Sequence, residues 1–297
     1  YTSSSTDTWD VLRISDLVDV DSNNVLLIYG YDDTDESTKN DRTRNIYSNQ
    51  SGSCIGYWNR EHVFAKSLAN PSLVTNQPGP GTDIHNLRSA DCQMNSTRNN
   101  RLFVSGSGNS GTSGSYFYPG DEFKGDVARI IMYMYLRYPS QCEPLNIGVG
   151  SSSYSQNGDI PDLFLDWNDQ DPVSEFELNR NDVIYSYQGN RNPFIDNPYL
   201  ATLIWNGPIT TDSWGVLSNT EITTKNLTVF PTITSDYLYI SGIINEQYSV
   251  QIFNQLGQAL EVEISNNRID VSDFSSGVYI LKFEQANQVQ QTKFFIR

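Results

Sequence analysis

Histidine is nearly missing from this chain: among 297 residues there are two, His62 and His85. Long apolar runs are missing as well. None approaches the roughly 20 residues that a membrane-spanning helix requires, which excludes such a helix. Basic side chains are scarce, 19 against 35 acidic ones, and the net charge of -16 argues against a simple basic nucleic-acid binder. Three cysteines, Cys54, Cys92 and Cys142, match no zinc spacing, and an odd number cannot all pair internally. One disulfide plus one buried thiol suits an exported protein, and three thiols suit a cytosolic one. No HExxH motif occurs, and no Ser-His-Asp order falls near the histidines, so protease chemistry ranks low. Recognition helices, zinc fingers and RRM signatures are also absent, so base-sequence readout is not expected.

What is present is enough aromatic and apolar material for a real core, including 18 Tyr and 13 Phe. Charge is unevenly distributed. Residues 42–137 hold ten basic and six acidic side chains, net +4, inside an otherwise acidic chain. A polyanion has one segment to bind to. The chain starts at Tyr1, so a processed N-terminus with its signal peptide removed is expected.

Periodicity predicts a short helix from Thr8 to about Leu17 and a buried strand over Val25–Tyr29. An extended piece runs from Gly52 through Trp58 to His62, and a short strand is expected over Asp83–Leu87. Asp91 to about Asn100 reads as a helix or helical turn. Residues 105–115, SGSGNSGTSGS, read as flexible low-complexity chain. Asp126–Tyr138 is the clearest helix, with Val127, Ile130, Ile131 and Met134 at helical spacing and Pro139 as its stop. Further helices are expected over Pro172–Tyr187 and Asn197–Trp205. Asp166–Asp171 reads as a solvated loop, because it lacks the glycine and distal glutamate of a calcium loop. From Asn226 the pattern changes to short alternating strands and turns, an all-β sandwich of about 70 residues.

Both histidines fall in the positive segment. His62 lies in Trp58-Asn59-Arg60-Glu61-His62-Val63, His85 in Asp83-Ile84-His85-Asn86-Leu87-Arg88, and Asn95-Ser96-Thr97-Arg98-Asn99-Asn100-Arg101 follows. An imidazole with an unperturbed pKa near 6.5 takes a proton from water at neutral pH. Oxygen ligands such as a carboxylate and an amide suit Mg²⁺. Arg42, Arg44, Arg60, Lys66, Arg88, Arg98, Arg101, Lys124 and Arg129 are candidates for holding backbone phosphates without reading sequence.

The segments WNREHVFAKS (58–67), DIHNLRSADCQMNSTRNN (83–100) and NRNPFIDNPYLATLIW (190–205) resemble the endonuclease I family of secreted and periplasmic nucleases. That resemblance implies an α+β fold with a ββα-metal (His-Me finger) core surrounded by helices, over residues 1–218. It implies His62 as general base, Glu61 and Asn100 as metal ligands, and Arg98 as a motif arginine suited to a phosphate contact. Arg60, Arg88 and Arg101 are the substrate-binding candidates, with His85 and Asn95 in support. Asn95 and Asn99 stay open as rival ligands. The implied cofactor is Mg²⁺, with Mn²⁺ or Ca²⁺ as alternatives. The implied reaction is hydrolysis of DNA, and of RNA as well, to 5′-phosphate products with little base preference.

The tail resembles the C-terminal sorting domain of the type IX secretion system. LTVFPTITSDYLYIS (227–241), VQIFNQLGQAL (250–260), IDVSDFSSGVYILKF (269–283) and the end KFFIR carry the resemblance. The change of pattern in the Thr/Asn-rich stretch before it places a linker at 219–225; the resemblance implies a sorting domain at 226–297, passage through the periplasm, and release outside the cell or onto its outer surface. A monomer is expected, whose partners are nucleic acid and the secretion machinery. The rival reading is a catalytically inactive surface module that binds nucleic acid or adheres; intact Glu61, His62 and Asn100 disfavour it.

Overall fold

The computed structural model describes residues 6–49, 52–215, 228–241, 248–285 and 288–297. The chain divides into two compact units between Leu217 and Ser218. The linker expected at 219–225 lies outside the described residues.

The first unit is mixed α+β. Helix α1 (Thr8–Ser15) opens on Asp7, whose carboxylate accepts from the Trp9 and Asp10 amides while Asp10 accepts from the Asp7 amide, a closed capping box. Strands β1 (Asn24–Leu26) and β2 (Thr43–Asn45) pair antiparallel. Strands β3 (Trp58–His62) and β4 (Leu87–Asp91) form a second antiparallel ribbon, and α2 (Cys92–Arg98) follows β4 without a break. The strand expected over Asp83–Leu87 is displaced. Asp83 accepts from the His85 amide and winds Ile84–Asn86 into a 3-10 turn, so the strand begins at Leu87.

The Gly/Ser stretch is not loose chain. Strands β5 (Gly111–Ser113) and β6 (Tyr116–Tyr118) make a hairpin within and beside it. Asp121 binds the Gly108 amide, Ser110 Oγ donates to the Tyr29 carbonyl at 2.5 Å, and Gly106 lies against the Tyr118 ring. A Cβ on Gly106 would stand 2.6 Å from that ring, so glycine here permits close packing.

Helix α3 (Lys124–Arg137) is buried from Gly125 to Met134 and forms the centre of the main core, with Phe103, Phe117, Phe164 and Phe194 around it. Helix α4 (Asp162–Gln170) takes in most of the stretch read as a solvated acidic loop. Leu163, Phe164, Leu165 and Trp167 drive it into the core, which outweighs the acidic composition. Helices α5 (Glu175–Gln188), α6 (Pro193–Asp196) and α7 (Tyr199–Trp205) complete the unit. A smaller core under β3 and β4 gathers Val11, Leu12, Val25, Leu27, Trp58, Ile84, Leu87 and Ile184.

The second unit is all-β. Strands β7 (Thr228–Phe230), β8 (Ile233–Thr234), β9 (Tyr237–Ser241), β10 (Tyr248–Phe253), β11 (Ala259–Leu260), β12 (Arg268–Asp270), β13 (Gly277–Gln285) and β14 (Gln288–Ile296) make two sheets. Their orders are β12-β9-β7 and β11-β10-β13-β14-β8, antiparallel except for β14 with β8. Val229, Leu238 and Ile240 of one sheet share a core with Ile252, Leu281, Phe283 and Phe294 of the other. Among the described residues no helix is long and apolar enough to cross a membrane.

Candidate active site

The ribbon β3–β4 sets the register of the site. Glu61 stands opposite Arg88, and His62 opposite Leu87. Asp91 ends β4 and caps α2, accepting from the Gln93 and Met94 amides at 2.8 Å each. Its other oxygen pairs with Arg44 at 2.5 Å. A disulfide joins Cys54, ahead of β3, to Cys92, the first residue of α2, while Cys142 is a buried thiol. Helix α2 is therefore held against β3 at its start by a covalent bond and along its length by side chains.

Those side chains are Asn95 and Arg98. Asn95 Nδ2 donates to Asn59 Oδ1 at 2.8 Å and to the Arg60 carbonyl at 3.4 Å. Arg98 is fully buried. It donates to the carbonyls of His62 (3.1 Å), Val63 (2.7 Å) and Asn99 (3.1 Å), stacks on Phe103, and lies 3.2 Å from Glu61 Oε1. Asn86, in the 3-10 turn, accepts from the Phe64 amide and donates to its carbonyl, securing the chain just after His62. Composition offered no signal for that role; it depends on which backbone groups the fold leaves unpaired.

Glu61 and His62 open onto one cavity of 420 Å³, lined also by Trp9, Asn59, Arg60, Lys66, Asn95, Arg98, Asn99 and Asn100. Glu61 is almost fully buried, and burial raises its carboxyl to about 7 against the opposing pull of Arg98 and the Tyr29 hydroxyl. Both groups act on Oε1, Tyr29 at 3.1 Å. Oε2 receives no hydrogen bond from the described residues. His62 is pushed down to about 4, mainly by burial, so it is neutral at physiological pH. Its Nε2 is 2.9 Å from the Gly81 carbonyl. A carbonyl only accepts, so Nε2 carries the proton and Nδ1 holds the lone pair.

Gly81 is required where it stands. A Cβ there would fall 2.0 Å from the Val74 carbonyl oxygen. Gly81→Ala must shift the loop that carries the His62 anchor. We expect a loss of activity larger than the loss of stability, checked by kcat alongside a thermal melt.

The positive segment is neutralised to a degree that its composition hides. Arg42, Arg44, Arg88, Arg98, Lys124, Arg129 and Arg137 all form ion pairs with carboxylates. Arg88, a substrate-binding candidate, is buried with Asp126 at 2.6 Å and Asp16 at 3.7 Å, out of reach of a phosphate in solvent. Arg98 is equally enclosed, so the phosphate contact suggested for it does not fit its burial; it braces Glu61 and the backbone around His62. Arg101 turns back to the Thr97 carbonyl and does not line the cavity. Among the described residues, Arg60, Lys66 and Arg101 form no ion pair, and the first two line the cavity.

His85 stands apart from the cavity. It is 1% exposed, with Nε2 on the Asn190 carbonyl at 3.1 Å and its ring 4.5 Å from Tyr133, and burial pushes it down to about 4. It joins the turn before β4 to the segment after α5. Asn100 lies past the end of α2, exposed at the cavity rim, with Nδ2 3.4 Å from Ser67 Oγ.

Residues 1–199 match the family described as Endonuclease I. The chain belongs to the Endonuclease I family. It is 40% identical over 213 residues to an extracellular ribonuclease of Bacillus subtilis (strain 168), a match covering 68% of each chain. It is 40% identical over 208 residues to an extracellular ribonuclease of Bacillus amyloliquefaciens, covering 66% of each. The matches therefore span about two thirds of those relatives' length. Residues 228–297 match a secretion system C-terminal sorting domain of the type IX system. This family member is thus a secreted nuclease with its sorting signal in the second unit.

Proposed function

We propose that the first unit is a metal-dependent endonuclease that hydrolyses phosphodiester bonds in RNA and DNA with little sequence preference. The observation that carries this reading is the pairing of a neutral His62, Nδ1 free, with the buried Glu61 carboxylate in one cavity. The succession β3, β4, α2 is what a ββα-metal core would require. Inclusion of RNA is supported by the relatives, both extracellular ribonucleases.

The donor set suits a hard divalent cation such as Mg²⁺. Among the described residues no group of three or more His, Cys, Asp or Glu side chains gathers around a common point. One carboxylate and one amide oxygen remain, the sparse set with which Mg²⁺ keeps several of its waters. A buried carboxylate raised to about 7, with Oε2 unbonded, is a group that a cation would stabilise in its charged form. For the amide, Asn95 fits better than Asn100. Asn95 is on the helix that packs against β3, and its Nδ2 is held by the two residues preceding Glu61, which leaves Oδ1 unengaged. Asn100 is exposed and only loosely held. Glu61 and Asn95 would hold the ion, and Asn100 would line the rim.

When bound, the ion would supply Lewis-acid stabilisation of the phosphate and of the leaving oxygen. His62 Nδ1 takes a proton from water as the water oxygen bonds to phosphorus and the bond to the 3′ oxygen breaks. The product carries a 5′-phosphate. Burial keeps the imidazole unprotonated and ready, and the Gly81 carbonyl keeps the free nitrogen turned to the water. Lys66, exposed and without an ion pair among the described residues, faces the negative charge that the phosphorane gains.

Plasmid and RNA digestion with Mg²⁺, then with EDTA, tests the reading. Asn95→Ala should lose about 10²-fold or more in rate at fixed Mg²⁺, on the scale of removing one preorganised polar group, and Asn100→Ala less than about tenfold. Activity that persists in EDTA overturns the metal. The reverse order of the two asparagine variants returns the ligand role to Asn100.

A further inference from the structure

Trp9 is not needed to explain the hydrolysis, yet it lines the same cavity as Glu61 and His62. It is half-buried at the start of α1, where the Asp7 capping box fixes its backbone. The Arg60 guanidinium lies over its ring, 4.5 Å from the centroid, and Nη1 donates to Thr8 Oγ1. Trp58, fully buried, packs 5.3 Å from Trp9 at 55° and keeps the indole in place from the core side. Arg60 makes no ion pair among the described residues, and it lines the cavity beside Trp9. A guanidinium held over an indole at the cavity wall, in no ion pair among the described residues, is an unusual arrangement for a purely structural pair.

We propose that Trp9 and Arg60 form a nucleobase-stacking subsite beside the scissile position, and that the preferred substrate is an unpaired strand. The inference rests on the nuclease reading above. A guanidinium held over an indole offers a planar cation on which a base stacks, and every base has such a face. The same cation attracts the adjoining phosphate, so one nucleotide is held by stacking and charge together. A base inside a duplex already stacks on both sides and must be unstacked first, at a cost of a few kcal/mol. Sequence indifference follows, because stacking does not read base edges.

The test is binding of labelled oligonucleotides to the full chain in EDTA, by fluorescence anisotropy, so that no cleavage occurs. In an abasic scan of a single strand, loss of one base next to the bond that is cut with Mg²⁺ should weaken binding about tenfold or more. Trp9→Leu should weaken the intact strand by a similar factor, and the abasic site should then have no further effect. Trp9→Phe, which keeps a ring under Arg60, should retain most of the affinity. Duplex affinity should change little in either variant. A flat abasic scan overturns the subsite; so does a Trp9→Leu variant, folded by thermal melt, that weakens single strand and duplex alike. A positional abasic effect in a wild type that cleaves nothing with Mg²⁺ would support the subsite and sink the nuclease reading, so the two fail separately.

Discussion

Replacing His62 by alanine lowers phosphodiester cleavage by about 10²–10⁴-fold, the usual contribution of a positioned general base. The loss arises in kcat. His62 contacts Gly81 through Nε2 but makes no ion pair among the described residues, so its removal leaves Glu61, Arg98 and α2 in place. His62→Gln should be as inactive, since an amide at this position can still reach the Gly81 carbonyl but does not take up a proton near neutral pH. Rates measured on a fluorogenic oligonucleotide with Mg²⁺, together with a thermal melt, check both points. An alanine variant within tenfold of wild type would remove His62 from the chemistry.

Arg98→Met produces the opposite profile, with stability falling first. Arg98 is fully enclosed and joins the Glu61 carboxylate to three carbonyls on the chain around His62. Removing one partner of a buried ion pair leaves the other charge uncompensated, which costs about 3–5 kcal/mol. For a unit of this size that is roughly 10 °C in Tm. Arg98→Lys should recover little, because a single ammonium cannot bond the His62 and Val63 carbonyls while facing Glu61. Activity should fall with the collapse of the Glu61 position, and added Mg²⁺ should raise the melting temperature less than in wild type. A folded Arg98→Met protein with unchanged Tm and a selective rise in KM would restore the direct phosphate contact.

Arg88 shows where reading charge from composition goes astray. Ten basic residues in one segment suggest a cationic face. Folding places Arg44, Arg88, Arg98 and Arg129 inside, each against a carboxylate, because a buried guanidinium must be paired. The acids that neutralise Arg88 and Arg129 include Asp16, Asp126 and Glu177, two of which lie outside the segment. No window along the chain could reveal that. The helix α4 was hidden for a related reason: its acidic residues suggested solvent, while Leu163, Phe164 and Trp167 supply a buried face once α3 is present to receive it.

Sequence alone determined that one chain holds a mixed α+β unit followed by an all-β unit. The two folding patterns have different periods, and period is a local property. It also placed Glu61 and His62 at the end of one extended segment, ahead of a further strand and a helix, because strand and helix periods are read locally. Tertiary structure decided the rest. It chose which asparagine meets β3, enclosed Arg98 and Arg88, gave His62 a free Nδ1 through Gly81, and brought Trp9 from the first helix to Arg60. Each of these depends on burial and on partners up to dozens of residues away, so the energy that settles it exists only once the chain has folded.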